Sequence, residues 1–479
     1  WMTSFSIVES FDSEWVVWMS VFKAYDIRGI AGDELDVDFS ERLGKAIATH
    51  LGAKSVSVVR DIRESSPSYH EAFVRGLREA GADVIDLGIS TTGVLYRSIV
   101  DLPVDVSVAI TASHNPPEYN GFKICQGKMP LGGEGLQEVR RAFEDGEFRT
   151  GDGSYQLMGD YEESYIESVV KSVGEPSRKV RVVLDCGNAV PGPLAQRTLE
   201  RLGADVVPIY CDWDNSFPNH PPDPTRKENM IDLGKAVVEN DAEFGIGMDG
   251  DGDRLGVVDE NGNFIHPDRL MGIFVKDVLE NIEDDSTEEE RTIFFDVKCS
   301  MALEEAIIEF GGVPKMVRTG HTFMKLELRE NPDSPMAGEM SGHFFMNDCW
   351  DGFDDSIYNA ARLVEIVSRD PSPNRGGVNF SDRFGFMPEY PSTDEGKVPL
   401  VGEREEVMRS VKEAYADMEF SEVDGMRVRY ERGWFLCRPS NTEPILVMRA
   451  EAKDRESLTD ILVDVEERIG HLADIGKLN

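Results

Sequence analysis

Val56-Ser57-Val58-Val59-Arg60-Asp61, followed by a helical stretch and then Gly81-Ala82-Asp83-Val84-Ile85, decides the fold. An apolar run of strand length closes on an aspartate, a helix-length segment follows, and glycine opens a second apolar run. The pattern recurs at Val180–Leu184 with Asp185, then Gly203-Ala204-Asp205-Val206-Val207. It recurs again at Thr292–Phe295 with Asp296, then Gly311-Gly312-Val313. From Asp to Gly the spacings are 20, 18 and 15 residues (81−61, 203−185, 311−296). Strand–helix–strand units of this length allow parallel neighbours and need helices over the sheet. The chain is therefore read as three similar mixed-sheet α/β domains in succession.

Boundaries are expected where turn formers gather, at Arg149–Gly153, at the hairpin-like Asn261-Gly262-Asn263 and within Pro371–Gly377. This gives α/β domain I over 19–152, domain II over 153–263 and domain III over 264–376. The last stretch, 377–479, reads differently. Val423–Tyr430 and Ile445–Ala450 suit strands and Asp454–Ile469 a charged amphipathic helix, a smaller α+β domain IV without the repeat. Glu283–Arg291 is an acidic loop. The chain opens on Trp, and Met19 directly precedes the organised sequence, so residues 1–18 are expected to be a disordered extension; they do not read as a secretory signal.

The 479 residues are 40% apolar, enough for several packed cores, and no apolar run reaches 18 residues. The formal net charge is −40, with 33 Arg against 17 Lys, and the acid is spread along the chain. Such a field repels nucleic acid and anionic membranes, so neither is expected as a partner. Acid excess with scarce lysine points to a salt-rich, halophilic cytoplasm, where screening limits self-repulsion. An anionic substrate would need a local basic pocket. The six cysteines are scattered with no C-x-x-C pair, which suits reduced thiols in the cytoplasm.

Four stretches carry chemistry. Thr111-Ala112-Ser113-His114-Asn115-Pro116 follows the apolar run Val104–Ile110 and presents a serine at a strand's end. Ser113 could carry a phosphoryl group and His114 could move protons; read alone, the stretch serves equally as a turn. Asp249-Gly250-Asp251-Gly252-Asp253-Arg254 sets three carboxylates on alternate residues. In extended backbone they fall on one side, a hard oxygen set suited to Mg²⁺. A calcium EF-hand is the rival, but Arg254 stands where that loop needs glycine, and the flanks read as strands. Gly338-Glu339-Met340-Ser341-Gly342-His343 offers an acceptor, a hydroxyl and an imidazole to a sugar. Arg438-Pro439-Ser440-Asn441-Thr442 lies between two strands and reads as a phosphate cradle or a long hairpin loop.

In this order, one to a domain, the four stretches resemble the α-D-phosphohexomutase superfamily. Tyr25-Asp26-Ile27-Arg28-Gly29, Gly121-Phe122-Lys123, Val297-Lys298-Cys299 and Thr319-Gly320-His321 match as well. The resemblance runs from about Val21 to the C-terminus. Met340 and Gly352-Phe353-Asp354-Asp355 point to the phosphomannomutase/phosphoglucomutase branch, the glucosamine branch more often having Gln at position 340. Asp61-Ile62-Arg63, where relatives often have Gly for Ile62, is read as peripheral. The resemblance implies a central cleft and a cytoplasmic isomerase acting on phosphorylated hexoses through a phosphoserine and a 1,6-bisphosphate, the latter also serving as activator. It implies Mg²⁺ on Asp249, Asp251 and Asp253 with the phosphoserine, Ser113. It assigns catalysis to Ser113, His114, Lys123, Arg28, Arg254 and His343. Substrate contacts fall to Tyr25, Lys298, His321, Glu339, Ser341, Arg438, Ser440, Asn441 and Thr442. A phosphoglucosamine mutase, a silent sugar-phosphate-binding protein and a serine phosphatase stay open at this point, as does monomer against dimer.

Overall fold

The computed structural model describes residues 20–23, 25–283, 285–400, 402–440 and 445–472. The expected extension over 1–18 lies outside them, as do Asn441 and Thr442. The chain divides into two units, one running to Thr91 and resuming over Leu95–Tyr161, the other taking Thr92–Val94 and everything from Glu162 onward.

The first unit holds β1 (Ile27–Ile30), β2 (Ser55–Arg60), β3 (Asp83–Ile89), β4 (Val106–Ile110), β5 (Tyr119–Gln126), β6 (Met129–Pro130) and β7 (Tyr155–Leu157). They pair in the order β1-β5-β4-β2-β3-β7, with β6 also on β5. β4, β2, β3 and β7 run parallel; β5 is antiparallel to both β4 and β1. The helix Val37–His50 begins because the Asp36 carboxylate accepts the Phe39 N–H at 2.6 Å. Its buried stripe, Phe39, Leu43 and Ile47, meets the sheet at helical spacing. Phe39 packs on Phe122 of β5 and Phe143, with centroids 6.3 and 4.9 Å away. Burying each such ring contributes about 1.5–3 kcal/mol. The helix Ser66–Glu79 lies against the first helix so closely that a Cβ on Gly76 would sit 2.0 Å from the Glu41 carbonyl oxygen.

The second unit holds three sheets. β8 (Arg181–Asp185), β9 (Asp205–Ile209), β10 (Phe244–Met248), β11 (Leu255–Val258) and β12 (Phe264–Ile265) pair in the order β12-β11-β10-β8-β9. β13 (Thr292–Asp296), β14 (Val313–Val317), β15 (Met336–Gly338) and β16 (Phe344–Met346) pair as β14-β13-β15-β16. The sequence repeat is thus a structural one. β5-β4-β2-β3, β11-β10-β8-β9 and β16-β15-β13-β14 are one topology used three times: three parallel strands, then a return strand antiparallel at one side.

The aspartate that closes each repeat strand does the same work in all three. Asp61 Oδ1 accepts the Arg63 N–H at 3.0 Å, Asp185 Oδ1 accepts Gly187 N–H at 2.9 Å and Asp296 Oδ1 accepts Lys298 N–H at 3.2 Å. Each is an Asx turn that lifts the chain off the sheet.

The fourth sheet is antiparallel: β17 (Gly396–Pro399), β18 (Phe420–Ser421), β19 (Met426–Tyr430), β20 (Gly433–Pro439) and β21 (Ile445–Ala452), in the order β17-β21-β20-β19-β18. The strand expected from Val423 starts at Met426, because Gly425 at φ +76° forms a turn. Helices Arg404–Ala414 and Arg455–Ile469 contribute Val407, Val411, Ile461 and Val465 to a core with Met426, Val428, Phe435 and Met448. Trp434 and Leu436 pack instead against Val297, at the end of β13.

Candidate active site

The serine loop joins β4 to β5. Ala112–Asn115 is a tight turn, with Asn115 N–H on the Ala112 carbonyl at 3.0 Å and Ser113 and His114 at its tip. Ser113 is buried and sits at φ +50°, a left-handed conformation costing a non-glycine residue on the order of 1–3 kcal/mol. Its N–H reaches Thr111 Oγ1 at 3.0 Å, and its Oγ lies 3.2 Å from His114 Nδ1. Arg28, on β1, donates to Asn115 Oδ1 and to Asp26 Oδ2, both at 2.6 Å. Its Nε is buried with no acceptor among the described residues. Lys123 is buried on β5 opposite Ala109, and Tyr25 is half-buried just before β1. Gly121 precedes Lys123 by two because a Cβ there would lie 2.2 Å from the Ile27 carbonyl oxygen.

One assumption from the sequence is corrected. Asp61-Ile62-Arg63 is not peripheral: the Arg63 guanidinium donates to the carbonyls of Ser113 and Asn115 at 2.8 and 2.7 Å.

In the second unit the acidic loop is the hairpin between β10 and β11. Asp249 Oδ1 accepts the N–H groups of Gly252, Asp253 and Arg254 at 3.1, 3.0 and 3.1 Å, so this one carboxylate shapes the turn. Thr92 Oγ1 donates to Asp251 Oδ2 at 2.8 Å, and Ser356 Oγ to the Gly252 carbonyl at 2.7 Å. Oxygens of Asp249, Asp251 and Asp253 lie within 4.8 Å of one another, all three residues at most 1% exposed. Three hard, buried anions converging in this way fit a hard divalent cation and would repel one another without one. Burial works against the charge of Arg254, but the carboxylates of Asp223, Asp249, Asp253 and Asp251 outweigh it and raise its pKa. Arg254 Nε also lacks an acceptor among the described residues.

The sugar-type loop is the hairpin between β15 and β16, closed by Glu339 N–H on the His343 carbonyl at 2.9 Å. Glu339 accepts from the Gly320 N–H and from Ser341 Oγ at 2.9 Å. His343 joins the two hairpins. Its Nδ1 lies 3.1 Å from Glu339 Oε2 and its Nε2 3.2 Å from Asp253 Oδ1. Burial opposes its charge, yet these carboxylates push its pKa up to about 9. Leu255 N–H on the Gly342 carbonyl at 2.9 Å adds a backbone stitch.

His321 stacks on His343, centroids 5.5 Å apart, at the start of the helix His321–Glu330. Behind them Lys325 Nζ meets Asp354 Oδ1 at 2.7 Å with neither side chain exposed, and Asp354 Oδ2 faces His321 Nδ1 at 3.6 Å and His343 Nε2 at 4.0 Å. Asp253, His343 and Asp354 have the spacing of a metal triad, but the Lys325 ammonium already neutralises Asp354.

Arg438, at the end of β20, pairs through Nε with Asp424 Oδ2 at 2.9 Å, and Asp424 also accepts the Thr319 N–H at 3.2 Å. Ser440 is buried and its carbonyl accepts from Arg404. Lys298 Nζ reaches Glu395 Oε2 at 3.2 Å. Burial works against its charge, and Glu395 and Asp296 keep its pKa raised. The second unit thus gathers Arg254, His343, Glu339, Ser341 and His321 round two hairpins, with Arg438 tied to Thr319 beside them.

The sequence reading missed Arg63, Lys325, Asp354 as a site residue, and Asp424. Lys325 follows His321 by four, the spacing of neighbours on a helix face, and that was the available signal.

Four family models match in order: phosphoglucomutase/phosphomannomutase alpha/beta/alpha domain I over residues 19–150, domain II over 163–262, domain III over 266–384 and the C-terminal domain over 397–468. The chain is similar to the phosphomannomutase/phosphoglucomutase of Pseudomonas aeruginosa, 39% identical over 92% of this chain and 94% of that one. It is similar to a phosphoglucomutase of Neisseria gonorrhoeae, 38% identical over 92% of this chain and 95% of that one. Among solved structures it resembles a phosphoglucomutase/phosphomannomutase family protein from Burkholderia thailandensis, with TM-score 0.86 and 38% identity over 95% and 97% of the two chains. The chain belongs to the phosphoglucomutase/phosphomannomutase family.

Proposed function

We propose that the chain is a phosphohexomutase that interconverts hexose 1-phosphates and hexose 6-phosphates, of mannose, glucose or both, with Ser113 as phosphoryl carrier. The observation that carries this reading is Arg28. Its guanidinium is fixed to the serine loop through Asn115, yet keeps a buried N–H without an acceptor. Buried donors are nearly always satisfied, so the deficit supports an oxyanion beside Ser113. The relatives' names support the same sugars.

In this reading the bond from Ser113 Oγ to phosphorus breaks as the free hydroxyl of the hexose phosphate attacks, giving a 1,6-bisphosphate. The bisphosphate, which also serves as activator, returns its other phosphoryl group to Ser113. Phosphoryl transfer asks mainly for positioning and charge neutralisation. Asp249, Asp251 and Asp253 would hold Mg²⁺, which when bound would offset phosphoryl charge. Arg28, Lys123 and Arg254 supply fixed positive charge, and His114 Nδ1 is close enough to Ser113 Oγ to exchange a proton. Glu339 and Ser341 would release each other to take vicinal sugar hydroxyls. His321, Lys298, Arg438 and Ser440, with Asn441 and Thr442, would grip the phosphate that is not reacting. The six free thiols suit a reducing cytoplasm, and the excess of 90 acidic over 50 basic side chains supports a salt-rich one; no helix among the described residues is long and apolar enough to cross a membrane.

The test is a coupled assay on mannose 1-phosphate, glucose 1-phosphate and glucosamine 1-phosphate with catalytic bisphosphate, beside an inorganic-phosphate assay. Isomerisation of the first two at constant organic phosphate is expected. Release of inorganic phosphate would make the protein a phosphatase, and preference for the amino sugar would move it to the glucosamine branch.

A further inference from the structure

Arg63 stands three residues beyond the end of β2, and its side chain is 1% exposed. A guanidinium has five N–H donors in a rigid fork. Here each has its own acceptor. Nε donates to Asp61 Oδ2 at 3.1 Å, Nη1 to the carbonyls of Pro116 and Tyr119, and Nη2 to the carbonyls of Ser113 and Asn115. One buried side chain thus holds four carbonyls of a single loop, from the serine at its tip to the first residue of β5.

The far side of the clamp is itself tied down. Asp61 Oδ1 accepts from Ser66 Oγ, Ser66 Oγ accepts from Asn120 Nδ2 at 3.0 Å, and Asn120 Oδ1 accepts the Gly121 N–H at 2.8 Å. The ring of bonds therefore starts at the end of β2, passes through the serine loop and returns through β5.

We infer that Arg63 is a positioning residue for phosphoryl transfer, holding Ser113 in its left-handed conformation so that Oγ keeps one place through both half-reactions. The inference rests on Ser113 being the phosphoryl carrier. Two features favour it over a merely structural brace. The bond to the Ser113 carbonyl is made at the strained residue itself, where a backbone at φ +50° persists only if its surroundings over-determine it. All five donors are also spent on the protein, so Arg63 has none left for a phosphate and acts through the loop alone. Misplacing a reacting atom by about 1 Å can cost about 100-fold in rate. A lysine keeps the charge beside Asp61 but has no fork.

The test is Arg63→Lys, with Asp61→Asn as a milder companion that keeps the guanidinium and loosens one of its five bonds. The expected result for Arg63→Lys is a kcat lower by about 100-fold with KM for hexose phosphate within about threefold, and slower labelling of Ser113 by radiolabelled bisphosphate, in protein that melts as one cooperative transition. Asp61→Asn should lose less kcat with the same unchanged KM. If Arg63→Lys does not fold, the Asp61→Asn measurement decides alone. Wild-type kcat in a folded variant, with wild-type Ser113 labelled normally, overturns the clamp and leaves the carrier intact. Failure of the wild type to label on Ser113 removes the carrier, and the clamp with it.

Discussion

Among the described residues Lys325 and Asp354 are the most completely enclosed ion pair, each with no exposed side-chain surface and 2.7 Å between Nζ and Oδ1. Removing one partner of such a pair leaves the other buried and uncompensated, a loss of about 3–5 kcal/mol. Lys325→Met should therefore lower the urea midpoint sharply. Lys325→Met combined with Asp354→Leu should recover most of that loss, since a buried pair replaced by apolar groups is often neutral. Activity should not recover in the double variant, because His321 and His343 would still lose the carboxylate they share. Equal stability of the single and double variants would show that the pair is not coupled. At this scale the sequence was legible only where chemistry and motif coincided. Ser113 stands out by type and by its place after an apolar run and before Asn115 and Pro116, Asp249 and Glu339 by type and by their glycine neighbours. Arg63 and Asp354 do not, because their roles come from contacts 50 and 29 residues away in the chain, Arg63 with Ser113 and Asp354 with Lys325.

At the scale of elements, three of the four chemistry-bearing loops occupy one position in one topology. Each links the third parallel strand of its repeat to the antiparallel return strand: β4 to β5, β10 to β11, β15 to β16. The Asp-to-Gly spacing exposed the repeat because the aspartate has a local task, an Asx turn readable from neighbours two residues apart. In the third repeat β15 and its return strand β16 stayed unassigned because they have only three residues each, too few for alternation to declare itself. The turn at Asp185 carries a second partner with a measurable signature. His220 Nε2 lies 3.0 Å from Asp185 Oδ2 and its Nδ1 lies 2.8 Å from the Pro221 carbonyl. Two acceptors require two N–H groups, hence an imidazolium. Burial works against that charge, but Asp185 outweighs it and raises the pKa above the ordinary value of about 6.5. The stabilisation is then fully present below about pH 6.5 and is lost as pH rises through the higher folded value. His220→Gln should flatten the decline in stability above pH 6.5 that the wild type shows in denaturant titrations. Parallel slopes for the two proteins would mean that His220 is neutral in the fold.

Over the whole molecule, 90 acidic side chains face 50 basic ones. Some of the acid is spent internally: Asp277 is shared by Arg362 and Arg369, and Glu243 is taken by Arg178. Much of the rest points outward, as Glu389, Glu419 and Glu134 do at 85, 78 and 75% side-chain exposure. Charges of one sign on a surface repel over a distance set by salt, roughly 10 Å at 0.1 M and 3 Å at 1 M. The apolar cores do not change with that distance, so salt acts on the repulsive part of the balance. A melting temperature that rises steeply between low salt and 1 M KCl is expected, levelling off once screening is shorter than the spacing between neighbouring carboxylates. KCl is the salt to use, because sulfate strengthens apolar burial in any protein through exclusion from its surface. Thermal melts from 0.1 to 3 M KCl, with sulfate as a separate series, separate the two effects. A rise that continues linearly to 3 M, or that appears only with sulfate, would assign the effect to exclusion. A flat KCl profile would remove the salt-rich setting while leaving the chemistry of Ser113 and the three-aspartate hairpin untouched, since neither depends on the outer charge.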